Sequence, residues 1–118
     1  MKTKNYQNFI GQYLNLCLIA KKLDKELCET LNILYNDFLV LDLVAKSICT
    51  QKQIAANLVL SQAAISKIIF RLSKNKLVSL SDSASDRRAN VVNLTELGTK
   101  KHSLAANLVG EIVNNHIN

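Results

Sequence analysis

A chain of 118 residues has room for one hydrophobic core and not two. With 48% apolar and 20% charged residues it is neither a disordered polyelectrolyte nor, since its longest unbroken apolar run is the five residues Leu16 to Ala20, a membrane-spanning chain. The net charge of +6, the absence of proline and the three glycines favour a mostly helical, basic protein over a turn-rich β-sandwich.

The first predicted element is a long helix over residues 5–28. Phe9, Ile10, Tyr13, Cys17, Ala20, Asp24 and Leu27 recur at helical spacing, and all but Asp24 are apolar. Leu14, Leu16, Leu18 and Ile19 widen that stripe, and a helix apolar over so much of its girth calls for a second partner surface. A second helix is expected over 30–46, with Leu34, Phe38, Leu41 and Leu43 inward. Ile48 to Thr50 is short and β-prone. Gln51 to Asn57 reads as a short helix, closed by a tight Leu58-Val59-Leu60 connection.

Ser61 is a natural N-cap for the next helix, which runs to about Lys74. Ile65, Ile68, Ile69 and Leu72 form its core face; Gln62, Ala63, Ser66, Lys67, Phe70, Arg71 and Lys74 fall on or beside the other. Asn75 is expected to end the helix in a left-handed conformation. Leu77–Leu80 and Ala89–Leu94 read as two strands around a polar loop, Ser81 to Arg88, making a hairpin with a basic-ended tip. Thr95 caps a last helix to about Ile117, whose apolar stripe is Leu104, Ala105, Leu108, Val109, Ile112 and Val113. Gly110 inside it weakens the isolated helix by roughly 1 kcal/mol and makes it lean on packing.

This order of a short helix, a tight turn, a second helix and a basic two-stranded hairpin is a winged helix-turn-helix. The fold class is mainly α with a small β-hairpin wing. The charge distribution agrees with it. Residues before Gln51 carry net +1 and those from Val91 onward net zero, whereas Gln51 to Asn90 holds seven basic and two acidic residues. Positive charge focused in the middle third suits a polyanion such as nucleic acid.

The residues of this region resemble the MarR (multiple antibiotic resistance regulator) family of bacterial transcription factors. The resemblance rests on the run Gln53 to Lys67, on Leu72 and Leu77-Val78, on Asp86-Arg87-Arg88, and on Leu94-Thr95-Glu96-Leu97-Gly98. The Asp-Arg-Arg wing followed six residues later by Leu-Thr-Glu-x-Gly is its most specific part. The chain departs from the pattern at Val59 and Lys76, where glycine is usual, and at Leu80, where arginine is frequent; these departures bear on loop geometry and not on the fold. The resemblance implies a single domain over 1–118, with a DNA-binding lobe at about 30–94 and dimerisation helices at 5–28 and 95–117. It also implies a homodimer on a near-palindromic double-stranded operator, acting as a repressor in the cytoplasm. A small phenolic or other apolar effector would sit between the lobe and the dimer helices, and the chain is short enough for that pocket to be reduced.

In such a fold the second helix of the motif enters the major groove by its N-terminal part. That puts Ser61, Gln62, Ala63, Ala64, Ser66 and Lys67 at the base edges. Glutamine can pair with adenine, lysine with guanine, and alanine methyls with the thymine methyl. Arg71 and Lys74, with Thr50 or Gln51, are expected at phosphates. By resemblance Arg88 enters the minor groove, Asp86 holds it by a salt bridge and Arg87 serves phosphates; a narrow minor groove concentrates the potential that favours a guanidinium. A solvated helix face would carry Lys67 and Arg71 as well, and the wing decides for DNA.

No glycine-rich phosphate loop, nucleophile elbow or paired-histidine metal motif is present, so neither an enzyme nor a cofactor or metal site is expected. Cys17, Cys28 and Cys49 are too few and scattered for a disulfide scaffold, and no secretory leader is read at the N-terminus. Cys17 has apolar neighbours, and Cys28 has Lys25 and Glu29 beside it. A thiol-based redox-sensing variant is therefore the lesser expectation. His102 and His116 are expected at the surface or a dimer contact. A winged-helix adaptor that sets its basic face against an acidic protein is the alternative function.

Overall fold

The computed structural model describes residues 2–82 and 90–117. Its elements are helices α1 (Lys2–Leu31), α2 (Tyr35–Ala45), α3 (Gln51–Leu58) and α4 (Gln62–Lys74), strands β1 (Val78–Asp82) and β2 (Asn90–Leu94), and helix α5 (Glu96–Ile117). They fall into two compact units, Met1–Tyr35 with Ala106–Asn118, and Asn36–Ala105. Helices with one small hairpin agree with the fold class expected from periodicity.

The first unit holds α1 and the C-terminal half of α5. Ile19, Leu23 and Ile112 are its buried cluster, flanked by Tyr35, Leu108, Val109 and Val113. Upstream of Ile19 the apolar side chains of α1 face solvent: Tyr6, Phe9, Tyr13, Leu14, Leu16 and Leu18 are all more than half exposed. On α5, Leu104 lies outward although its spacing put it in the core stripe.

The second helix is shorter than expected. α1 runs on to Leu31, and Asn32 breaks the chain at φ 56°, a left-handed value that asparagine tolerates. The Asn32 N–H still donates to the Cys28 carbonyl at 3.1 Å. The Tyr35 N–H, at the start of α2, donates to the Asp24 carboxylate at 2.8 Å. That bond accounts for the one polar residue in the α1 stripe. Because α2 begins after Leu34, that residue is exposed and not inward; Phe38 and Leu41 are buried as expected, and Leu43 is half-buried.

In the second unit, α4 packs on α3 and on β1, and α3 packs on β2. Ile65, Ile68, Ile69 and Leu72 of α4 are buried, as are Ile54 and Ala55 of α3, Val78 of β1 and Val92 of β2. The strands pair antiparallel from Val78 opposite Leu94 to Asp82 opposite Asn90. The β-prone stretch before α3 contributes one isolated bridge, Thr50 to Val91, with the Val92 N–H donating to the Cys49 carbonyl at 2.8 Å.

Thr95 joins the hairpin to α5. Its N–H donates to the Leu77 carbonyl at 3.1 Å, and its hydroxyl donates to the Lys76 carbonyl at 2.6 Å while accepting the Gly98 N–H at 2.9 Å. Gly98 lies so close to this turn that a Cβ there would stand 1.9 Å from the Leu77 carbonyl oxygen. The glycine of the Leu-Thr-Glu-x-Gly run is thus a close-approach residue. No single described helix is long and apolar enough to cross a membrane; α3 and α4 reach that composition only together, across a sharp bend.

Candidate nucleic-acid interface

Two caps set the geometry of the helix-turn-helix. Thr50 and Gln53 form a capping box at α3: the Gln53 N–H donates to Thr50 Oγ1 at 3.1 Å, and the Thr50 N–H donates to Gln53 Oε1 at 3.3 Å. Ser61 caps α4 by accepting the Ala64 N–H at 3.1 Å. Between the caps the chain turns through 115°, in the range usual for this motif. Val59 makes that turn at φ 55° and ψ 45°, with its N–H and that of Leu60 both donating to the Ala55 carbonyl.

A branched side chain in the left-handed region costs about 1–2 kcal/mol. Val59 is 89% exposed, so no packing compensates for it there. The turn after α4 repeats the pattern with a correction. Asn75 stays at φ −84°, and Lys76 takes the left-handed value, 62°. The two positions where the family pattern has glycine are therefore the two turn positions with positive φ around α4.

The side chain of Ser66 donates to Gln51 Oε1 at 2.8 Å and ties α4 to the start of α3. Two residues assigned from sequence to different contacts, one to bases and one to phosphates, are thus bonded to each other. Gln62, Ala63, Lys67 and Lys74 are exposed, as is Ser61, and Ala64 is half-buried. The Lys74 ammonium lies 5.5 Å from the centroid of the Phe70 ring, a cation–π distance.

Arg71, expected at a phosphate, has a partner within the protein. Its guanidinium forms an ion pair with Asp37 of α2, whose carboxylate is almost wholly buried. Sequence reasoning missed this pair. The signal was available: an aspartate among Phe38, Val40 and Leu41 cannot be buried as an anion without a cation or donors. Asp86, Arg87 and Arg88, the expected wing contacts, lie outside the described residues.

Asp42 of α2 has two side-chain partners. Lys46 Nζ lies 2.9 Å from one oxygen, and His102 Nε2 lies 2.9 Å from the other. The His102 ring stacks on Phe38 with centroids 5.7 Å apart. Burial pushes the Asp42 carboxyl up, but the hydrogen bonds and charges of Lys46 and His102 outweigh it and hold the group below its ordinary value. His102 is thus half-buried and packs within the lobe, whereas His116 is exposed, as expected of a surface residue, and bonds the Ile112 carbonyl of its own helix.

Cys28 is exposed and Cys17 is half-buried beside Tyr13, whose phenol is raised above its ordinary value by the hydrogen bond to that thiol. The half-buried Cys49 thiol donates to the Val44 carbonyl at 3.9 Å. Among the described residues no three His, Cys, Asp or Glu side chains are grouped to hold a metal ion.

A model of the MarR family matches residues 26–89, over half of the chain. No curated protein matches significantly. Among solved structures, the transcriptional regulator BldR from Sulfolobus solfataricus is similar at 22% identity, covering 97% of this chain and 81% of that one, with a TM-score of 0.84. A MarR family transcriptional regulator from Streptomyces coelicolor, solved in complex with DNA, is similar at 19% identity over 99% of this chain and 75% of that one, with a TM-score of 0.87. CouR from Rhodococcus jostii, solved with p-coumaroyl-CoA, is similar at 24% identity over 87% and 74%, with a TM-score of 0.76. Taken with the 115° motif and the hairpin, the match over residues 26–89 assigns the chain: it belongs to the MarR family.

Proposed function

We propose that this protein is a homodimeric transcriptional regulator, not an enzyme, that binds duplex DNA sequence-specifically and represses a promoter in the cytoplasm. The observation that carries the reading is the outer face of α4. Gln62, Ala63, Lys67 and Lys74 are exposed on a helix held at 115° to its neighbour by two caps. That is the form in which a recognition helix meets the major groove. The Streptomyces neighbour was solved on DNA, and the fold shared with it supports the same partner here.

The exposed apolar side chains of α1, from Tyr6 to Leu18, support dimerisation through the first unit. A two-fold dimer would set its recognition helices about one DNA turn (~34 Å) apart on a near-palindrome. In this reading Ser61, Gln62, Ala63, Ala64, Ser66 and Lys67 approach bases, Lys74 and Arg87 approach phosphates, and Arg88, held by Asp86, enters the minor groove. The effector proposed is a small phenolic or other apolar molecule; of the ligand solved with CouR, p-coumaroyl-CoA, the acyl group alone is of that class.

The test is a titration of labelled DNA from upstream of its own gene against random duplex at matched salt. Specific binding at least about 1,000-fold tighter than to random DNA is expected. Equal affinity for both would refute the reading and favour the protein adaptor. Transcription from that promoter with purified polymerase then decides repression.

A further inference from the structure

Phe70 is 66% exposed in the middle of α4, an uncommon place for a phenylalanine in a lobe that buries Ile65, Ile68, Ile69 and Leu72 on the opposite side. At 3.6 residues per turn, Ala63, Lys67, Phe70 and Lys74 fall within about 60° of one another, diametrically across from that buried set. Their stripe is the outermost surface of α4. It carries two ammonium groups and one aromatic ring, with the Lys74 ammonium 5.5 Å from the ring centroid. No carboxylate belongs to α4, and residues Gln51 to Asn90 carry seven basic against two acidic side chains.

We propose that Phe70 is a specificity-determining residue that packs on the C5-methyl group of thymine in the major groove. This rests on the DNA-binding function proposed above. The charge around the ring selects a polyanion as the occupant, and a polyanion that also offers an apolar group to an exposed ring is duplex DNA read from its major groove. Among the groups displayed there only the thymine methyl is apolar, and phenylalanine is one of the side chains that reads it. Lys74 completes the arrangement: its ammonium lies over one face of the ring and sits at the groove edge, where phosphates lie, while the exposed remainder of the ring is left to meet the bases.

The experiment starts from a random-sequence duplex library enriched on the full-length protein. The enriched duplex is resynthesised with deoxyuridine in place of one thymine at a time, which removes a methyl group and keeps every hydrogen bond. For the wild-type protein, one thymine per half-site is expected to lose about fourfold in affinity on that exchange, the transfer value of one buried methyl-sized group. Phe70→Ala is expected to bind the thymine duplex more weakly and to lose the difference between thymine and uracil at that position. Phe70→Leu, apolar but without a ring for Lys74, is expected to keep it. Thermal melting of the variants confirms that they fold, since the side chain is exposed.

A uracil penalty that is the same in wild type and Phe70→Ala would overturn the proposal, with the loss in Phe70→Ala then due to Lys74 alone. So would a Phe70→Ala protein that changes oligomeric state in sedimentation and keeps the penalty, since the ring would then meet a second copy. A library that enriches no sequence would overturn the DNA-binding function as well; enrichment without a thymine effect would overturn only the role of Phe70.

Discussion

The guanidinium of Arg71 turns back from the flank of α4 to the carboxylate of Asp37, 34 residues earlier in the chain. This bond ties α4 to α2. Removing one member of a buried ion pair leaves the other uncompensated, at about 3–5 kcal/mol when both are buried. The Arg71 side chain is 42% exposed and Asp37 keeps a further partner, so a smaller cost applies. Arg71→Ala is expected to lower unfolding free energy by about 2–3 kcal/mol in urea. It should leave the salt dependence of DNA binding nearly unchanged, whereas Lys74→Ala should reduce that slope by about one. A slope change of one for Arg71→Ala with unaltered stability would restore it as a phosphate contact.

Val59 and Lys76 spend backbone energy that glycine would not. The left-handed conformation costs an L-residue about 1–2 kcal/mol, and glycine recovers that less its own chain entropy. Val59→Gly and Lys76→Gly are each expected to raise stability by about 0.5–1 kcal/mol. Denaturant midpoints measure it, and a decrease for either would mean that its side chain makes an offsetting contact.

At Gly98 the expectation has the opposite sign. A methyl group at this position must push away the Leu77 backbone, so Gly98→Ala should cost about 3 kcal/mol or more, the upper end of overpacking penalties. Thr95→Ala, which removes the cap, should cost about 1–2 kcal/mol. Gly110→Ala has open space around it and should stabilise by up to about 1 kcal/mol. Equal melting temperatures for Gly98→Ala and Gly110→Ala would contradict this account.

The carboxyl of Asp42 is more acidic in the folded protein than in the unfolded chain. Protons therefore bind the unfolded chain preferentially, and the stability contributed by the Lys46–Asp42–His102 cluster is complete above the ordinary aspartate value and lost as pH falls below it. Solvent reaches the group, so the contribution is about 0.5–1 kcal/mol. Asp42→Asn should be less stable than wild type near neutrality and draw level with it in acid. A constant difference from pH 7 to pH 3 (about four units) would show that packing of His102 on Phe38, and not charge, is what Asp42 supports.

Dimerisation through α1 has its own test. Leu16→Glu with Phe9→Glu places charge on the exposed face upstream of Ile19 and is expected to give a folded monomer with weakened operator binding. Sedimentation at micromolar concentration reads it. A wild-type chain that is already monomeric would remove this interface from the proposed function.

Much of this molecule was legible in residue order because its helices follow single periodicities. Ile65, Ile68, Ile69 and Leu72 are four apolar residues on one face, and the structure buries all four. Ser61 and Thr95 read as caps because each side chain bonds a nearby backbone, a local interaction that sequence displays directly; the capping box of Thr50 and Gln53 did not stand out, since Thr50 ends a β-prone stretch. The break at Asn32–Leu34 was not legible, because neither glycine nor proline marks it and Asp24 helps to close it from 11 residues away. Asn75 and Lys76 exchanged roles for a similar reason: propensity favours asparagine in the left-handed region, but the Leu77 N–H reaching the Leu72 carbonyl at 2.9 Å puts the bend one residue later. At the interface, exposure of Lys67 followed from helix geometry alone, whereas the inward turn of Arg71 depended on a residue of another helix.

The clasp at Thr95 has a consequence for how this chain can vary. Its bonds to the Leu77 and Lys76 carbonyls close the hairpin at the end where Val78 faces Leu94, while the third, from the Gly98 N–H, starts α5. In a hairpin aligned by its turn, each insertion at the turn threatens to flip every side chain to the other face. Here the paired residues, from Val78 opposite Leu94 to Asp82 opposite Asn90, take their alignment from the closed end. The register of β1 on β2 is thereby fixed by the same turn that starts α5, so a change at Thr95 reaches the strands and the last helix together.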